Sequence, residues 1–221
     1  MTSDASSLFA RATQEEASGH TLTDDQIPAI LEVMDASLVV PKEKAQPQRL
    51  LCPVGLVGAG KTTVVEPLSL KLGFIRISTD EIRKYLKSQG YNYLRTKEIA
   101  AALIKKYIQL GHSVAIDADC AGSTKEIIEY LTKQTGITPI WIHIHPPEAF
   151  ILNKLRTYNH TWLFKDADQA IENYERRKPL HEHLDQPFVY TFDPSRPDLD
   201  RQIDEAIQRI RSLEREGIKL A

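Results

Sequence analysis

Gly55-Leu56-Val57-Gly58-Ala59-Gly60-Lys61-Thr62 is the stretch on which the reading of this chain turns. It matches the pattern G-x-x-x-x-G-K-S/T at every fixed position. Glycines let the backbone curl so that successive N–H groups point at one anion, where a Cβ would obstruct. A helix opening near Lys61 turns the positive end of its dipole toward the same anion. The Lys61 ammonium then reaches the outer phosphates of a bound nucleotide, and the Thr62 hydroxyl suits Mg²⁺. An apolar strand from Arg49 to Val54 precedes the loop, and a helix lacking proline until Pro67 follows it. The candidate nucleotide-binding residues are therefore Gly55, Val57, Gly58, Ala59, Gly60, Lys61, Thr62 and Thr63, with ATP the expected nucleotide and GTP the alternative.

Outward from the loop, short apolar runs alternate with helical patterns. The runs 49–54, 74–77, 113–116, 140–144 and 188–192 read as strands; helical periodicity covers 61–72, 80–88, 97–110, 124–134, 147–156, 167–177 and 199–213. Strand–helix alternation of this kind predicts an α/β fold with a five-stranded parallel, doubly wound sheet, whose ligands bind at the carboxyl ends of the strands. Pro53 sits in what is expected to be the central strand, and its missing donor implies that ladder bonding has ended there. Residues 1–47 read as a helical N-terminal extension, with Ile27, Ile30, Leu31 and Met34 at helical spacing behind a cap at Thr23-Asp24-Asp25, and with Leu8 and Phe9 in an earlier short helix. A polar, proline-bounded connector, 41–47, leads into the main domain, 48–221.

Two carboxylate elements join the loop. Val114-Ala115-Ile116-Asp117 is an apolar strand ending in an acid, the usual carrier of a carboxylate that holds Mg²⁺ directly or through water, so Thr62 and Asp117 are the candidate metal ligands. Asp119, two residues on, is read as a substrate contact or a cap. Ser78-Thr79-Asp80-Glu81-Ile82-Arg83 opens a helix at the carboxyl edge of the sheet. Asp80 and Arg83 share a helix face and together suit an acceptor hydroxyl, the acid taking its proton while the guanidinium orients an anionic group nearby. Asp80 as a plain N-cap is the competing reading.

With these elements in place, the chain from about Gln48 onward resembles the small P-loop kinases, and among them the group containing bacterial polynucleotide 5′-hydroxyl kinase, the zeta toxins and many predicted kinases. The residues that carry the resemblance are Gly55 to Thr62, the D-x-x-R of Asp80 and Arg83, the strand-end Asp117, and the Pro147-Glu148…Arg156 helix leading into a helical lid at about 157–178. The resemblance implies Asp80 as general base, Arg83 on the acceptor side, and Lys61 and Arg156 at the transferring phosphoryl group. Relatives in the group carry a second lid arginine four residues after the first, where this chain has His160. A neutral histidine does not offset phosphate charge as arginine does. Either a protonated His160 or one of Arg176, Arg177 and Lys178 takes that place. Trp162 and Phe164 either stack on a base or pack the lid.

Composition narrows the partners. The formal net charge of -2 argues against bulk electrostatic attraction to nucleic acid or anionic lipid. A small hydroxyl-bearing acceptor is therefore favoured, with a nucleic acid 5′ end as the alternative. No window approaches the roughly 20 apolar residues a membrane span needs, and the N-terminus lacks a basic segment followed by an apolar one, so the expected location is the cytoplasm. Cys52 and Cys120 read as small buried hydrophobes. His143 and His145, and His181 and His183, lack a third ligand, and His145 reads as a polar liner of the pocket. The function expected is ATP-dependent phosphoryl transfer to an acceptor hydroxyl; the alternative is a regulatory nucleotide-binding switch without an acceptor.

Overall fold

Leu50, Cys52 and Val54 face one side of β1 (Arg49–Val54) and Leu51 faces the other, and all four are fully buried. A strand apolar on both faces belongs at the centre of a parallel sheet. The computed structural model describes residues 19–157 and 163–215; Leu8, Phe9, His160 and Trp162 lie outside the described residues. The five strands run β2 (Ile75–Ser78), β3 (Val114–Asp117), β1, β4 (Thr138–Ile144) and β5 (Phe188–Phe192) across the sheet, all parallel. The β1–β3 ladder stops at Leu51 opposite Ala115, whereas β1 keeps its register with β4 as far as Val54. Pro53 therefore lies within the strand, a correction to the expectation that bonding had ended there. Its carbonyl accepts from the Cys120 N–H beyond the β3 ladder, so its missing donor falls on the side where pairing has already finished.

Helices cover both faces of the sheet. On one lie α3 (Thr79–Ser88), α4 (Thr96–Gln109) and α5 (Ser123–Thr135); on the other lie α2 (Lys61–Leu72), α6 (Glu148–Thr157), α7 (Ala167–Arg177) and α8 (Leu199–Arg215). The chain leaves β1 toward one face through α2 and leaves β3 toward the other through α5. The carboxyl ends of β1 and β3 thus open a crevice between diverging connections, the place where doubly wound sheets bind ligands.

The extension contributes α1 (Ile27–Ala36), which buries Ile27, Ile30 and Met34 in the same core as α4. No side chain caps its start at 23–25; the Gln26 side chain instead accepts from the Thr23 N–H, and Asp24 pairs with Arg95 ahead of α4. Asp35 accepts from Lys106 and from the Tyr107 hydroxyl. Residues from 19 on are therefore packed against the domain rather than trailing from it. Among the described residues no helix is long and apolar enough to cross a membrane.

Candidate active site

The loop between β1 and α2 holds its shape through close packing. A Cβ on Gly55 would lie 2.8 Å from the Ile144 carbonyl oxygen, and Gly60 sits at φ +96°, where a side chain is strained. Lys61 folds back to donate to the Gly55 and Leu56 carbonyls, both at 2.9 Å. Burial pulls its ammonium below the ordinary lysine range, against the fields of Asp119, Asp80 and Asp117. A buried cation whose hydrogen bonds go to carbonyl oxygens is poised to trade them for phosphate oxygens. Val57, Gly58, Gly60, Lys61, Thr62 and Thr63 line the cleft, while Gly55 and the buried Ala59 shape it from behind.

Thr62 donates to Oδ1 of Asp117 at 3.1 Å, bringing together the two predicted metal ligands from elements 55 residues apart. Oδ2 of Asp117 accepts from Arg76 Nε at 2.9 Å, and Arg76 also pairs with Glu81. The Asp117 side chain is only 2% exposed, and burial pushes its carboxyl above the ordinary value despite the pull of Arg76 and Thr62. A hydroxyl beside a carboxylate is an oxygen donor set that fits a hard divalent cation, and such a cation would draw the carboxyl back to its ionised form. Among the described residues no group of three or more His, Cys, Asp or Glu is arranged to hold a metal. Mg²⁺ at Thr62 and Asp117 would thus complete its shell with phosphate oxygens and water.

Helix α3 is capped by Ser78, whose hydroxyl accepts from the Glu81 N–H at 3.3 Å. Asp80 is the second residue of the helix and is not the cap. Its carboxylate is left to face the cleft, where Arg83 donates to Oδ1 at 2.9 Å.

Asp119, read as a substrate contact or a cap, lines the same cleft and has its carboxylate closely engaged. Its carboxylate accepts from the Gly55 N–H and the Ala121 N–H, both at 3.3 Å, from Arg177 at 2.7 Å, and meets His181 Nε2 at 3.1 Å. It is 11% exposed. Burial alone would raise its pKa, but the His181 bond, Lys61 and Arg177 outweigh that and hold the carboxyl well below the usual range. Asp119 therefore ties the phosphate loop to the end of α7.

The wall opposite α3 is built from α6 and α7, joined where Tyr174 and Lys178 both donate to Glu148. Arg156 lies on the exposed side of α6 and does not line the cleft; Lys154 does. Two residues along a helix turn by roughly 200°, so the face that buries Ile151 and Leu155 turns Lys154, not Arg156, toward the loop. A Cβ built on Gly60 would lie 4.0 Å from the Lys154 ammonium. Burial, and then the charge of Lys61, pull Lys154 below its ordinary pKa. Phe164, Arg176 and Arg177 also line this wall. His145, by contrast, is exposed and stacked on His143 at 4.7 Å, outside the cleft lining, which corrects its reading as a pocket liner. His143 is packed between it and Phe188, and burial holds it down at about 4.

Sequence reading missed Arg76 and Lys154. Arg76 stands in a strand where only its apolar neighbours were informative, and Lys154 is told from Arg156 only by the phase of α6.

The fold recurs in known proteins. A family model described as an AAA domain matches residues 50–160, half of the chain. A structure from the PezAT chromosomal toxin–antitoxin system of Streptococcus pneumoniae superposes with a TM-score of 0.55 at 17% identity, covering 87% of this chain and 98% of its own. A sugar kinase from Janibacter sp. gives 0.53 at 15% identity over 76% of this chain and 97% of its own. A gluconokinase from Sinorhizobium meliloti gives 0.53 at 16% identity, with 79% and 97% covered. No curated protein matches the chain significantly by sequence.

Proposed function

Since the chain belongs to the AAA-domain family of P-loop NTPases, we propose that it is an ATP-dependent kinase transferring the γ-phosphoryl group to the hydroxyl of a small acceptor. The observation that carries this is the carboxylate of Asp80, uncommitted to helix capping and facing the same cleft as Lys61, Thr62 and Asp117. A hydrolase or switch needs the phosphate loop and the metal ligands; an acid paired with an arginine on the acceptor side is what transfer to a hydroxyl adds. Structural neighbours described as a sugar kinase and a gluconokinase are in keeping with a small acceptor.

In this reading the backbone of 55–63 and Lys61 hold the triphosphate, and Thr62 and Asp117 hold Mg²⁺, which supplies charge neutralisation at the phosphates. Asp80 accepts the acceptor proton as the acceptor oxygen bonds to the γ-phosphorus and the bond to the bridging oxygen of ADP breaks. Arg83 fixes the carboxylate through its 2.9 Å bond. Residues 163–178 of the expected lid line the cleft together with α6 and would limit access of water there; residues 158–162 lie outside the described residues.

The lid cation at the phosphoryl group is assigned to Lys154, supported by Arg177, in place of Arg156. Lys154→Ala is expected to lower the transfer rate by roughly 10²-fold, Lys154→Arg to retain most of it, and Arg156→Ala to leave it unchanged, all read from steady-state ADP formation. Equal losses from Lys154→Ala and Arg156→Ala would return the assignment to Arg156. The kinase reading itself is tested by ADP formation from Mg·ATP with and without fractionated pools of hydroxyl-bearing metabolites. A rise that depends on one fraction supports it; a rate indifferent to every fraction counts against it.

A further inference from the structure

Register divides the residues of β2 between the two faces of the sheet. Ile75 and Ile77 join Val114 and Ile116 of β3 in the apolar core on one face. Arg76 is opposite Ala115, and Ser78 is opposite Asp117, on the other face. Arg76 and Asp117 therefore share the side of the sheet that α2 covers, and Thr62 stands in the first turn of that helix.

Neutralising a buried carboxylate would by itself account for an arginine at this place. An arginine set against one carboxylate frequently forks across both of its oxygens. Arg76 is used differently. Its Nε donates to Oδ2 of Asp117 at 2.9 Å, while its two terminal nitrogens donate to Oε1 of Glu81 at 2.8 and 2.9 Å. Oδ1 of Asp117 is left to the Thr62 hydroxyl at 3.1 Å. The two oxygens of Asp117 thus have separate uses, one pinned from behind by an anchored guanidinium and one turned to Thr62.

This division bears on which cation the pair can hold. Ca²⁺ takes a large and variable set of oxygens and readily accepts both from one carboxylate. Mg²⁺ is smaller, holds to octahedral geometry and completes its shell with water and phosphate. With Oδ2 engaged by Arg76, a cation at Thr62 is offered a single oxygen of Asp117. Turning the carboxylate to present both would break the Nε bond. Arg76 is not free to follow, since Glu81 holds its other end and its side chain is only 19% exposed.

Resting on the kinase reading above, in which Thr62 and Asp117 hold Mg²⁺, we propose that Arg76 sets the metal preference of the site: by holding Oδ2 it limits Asp117 to one oxygen and disfavours Ca²⁺ relative to Mg²⁺. It acts through Asp117 and is a positioning residue. Its positive charge weakens every divalent cation alike, an effect that Glu81 partly offsets. Discrimination between cations is what the Nε bond adds.

The test uses the full chain and a fluorescent, non-hydrolysable ATP analogue, whose binding is followed in separate titrations with Mg²⁺ and Ca²⁺. The quantity read is the ratio of the two cation concentrations that give half-maximal binding, which requires no turnover. Two variants separate the hydrogen bond from the charge. Arg76→Gln removes the charge but keeps an N–H donor as far along the side chain as Nε. Arg76→Met is of similar length and has no donor. The parent chain is expected to favour Mg²⁺, and Arg76→Gln to keep most of that preference. In Arg76→Met the ratio is expected to fall by roughly tenfold, the lower end of what removing an outer-shell partner does to metal affinity.

A parent chain that does not distinguish the two cations would overturn the proposal. So would a ratio that moves equally, or not at all, in both variants, which would leave Arg76 as a neutraliser of Asp117. If Arg76→Met does not fold, Arg76→Gln decides alone: a retained preference supports the proposal and a lost one overturns it. Analogue binding indifferent to every divalent cation would instead strike the assignment of Thr62 and Asp117, and the proposal with it.

Discussion

Replacing Asp80 by asparagine is expected to lower phosphoryl transfer by roughly 10²–10⁴-fold, the contribution typical of a positioned general base, with nucleotide affinity unchanged. The substitution keeps the shape and the ability to accept from Arg83, which now meets an amide oxygen at the 2.9 Å position. It removes only proton acceptance. Helix α3 is not expected to fray, because its N-terminal turn is capped by Ser78. The measurement is single-turnover transfer beside an equilibrium titration with an ATP analogue. If transfer persists at the wild-type rate, Asp80 is not the base. If affinity falls together with transfer, the residue belongs to the nucleotide site.

Lys61→Ala is expected to act on the nucleotide itself, lowering the rate by roughly 10²–10³-fold and weakening Mg·ATP binding. The ammonium that would bridge the outer phosphates is removed; Lys154 approaches from the opposite wall, near Gly60. Stability should move the other way. Lys61 is buried and its pKa is depressed by that burial, so the folded chain bears a desolvation cost that alanine relieves. The loss of its two bonds to the Gly55 and Leu56 carbonyls offsets part of this gain. Thermal unfolding of Lys61→Ala is therefore expected at a Tm equal to or above that of the parent chain. A variant that is both inactive and markedly less stable would mean that Lys61 braces the loop more than it serves the phosphates.

What could be read from the sequence was local, and what could not was a matter of tertiary distance. The phosphate loop is a backbone requirement written in consecutive residues, so Gly55 to Thr63 were legible without any fold. Asp80 and Arg83 are one helical turn apart, and their pairing follows from that spacing alone. The sheet and its helices emerged from periodicity, with β4 starting two residues earlier than its apolar run because Thr138 and Pro139 pair with β1 despite their composition. Asp119 was read as a substrate contact or a cap, but its partners Arg177 and His181 are about 60 residues away, and nothing near it in sequence announces them. Arg76 and Asp117 meet across two strands whose adjacency depends on strand order, β3 inserting between β2 and β1. The docking of α1 on α4 is likewise a product of which apolar face was left to cover.

The central claim, that the γ-phosphoryl group passes to an acceptor rather than to water, is tested most directly by its fate. The chain is incubated with γ-labelled ATP, Mg²⁺ and matched sets of neutral and anionic hydroxyl compounds, and ADP, inorganic phosphate and labelled phosphoester are quantified in the same reaction. The account predicts ADP in clear excess over inorganic phosphate, the difference appearing as label on one of the acceptors. One inorganic phosphate for every ADP, with no labelled ester in any set, would contradict it.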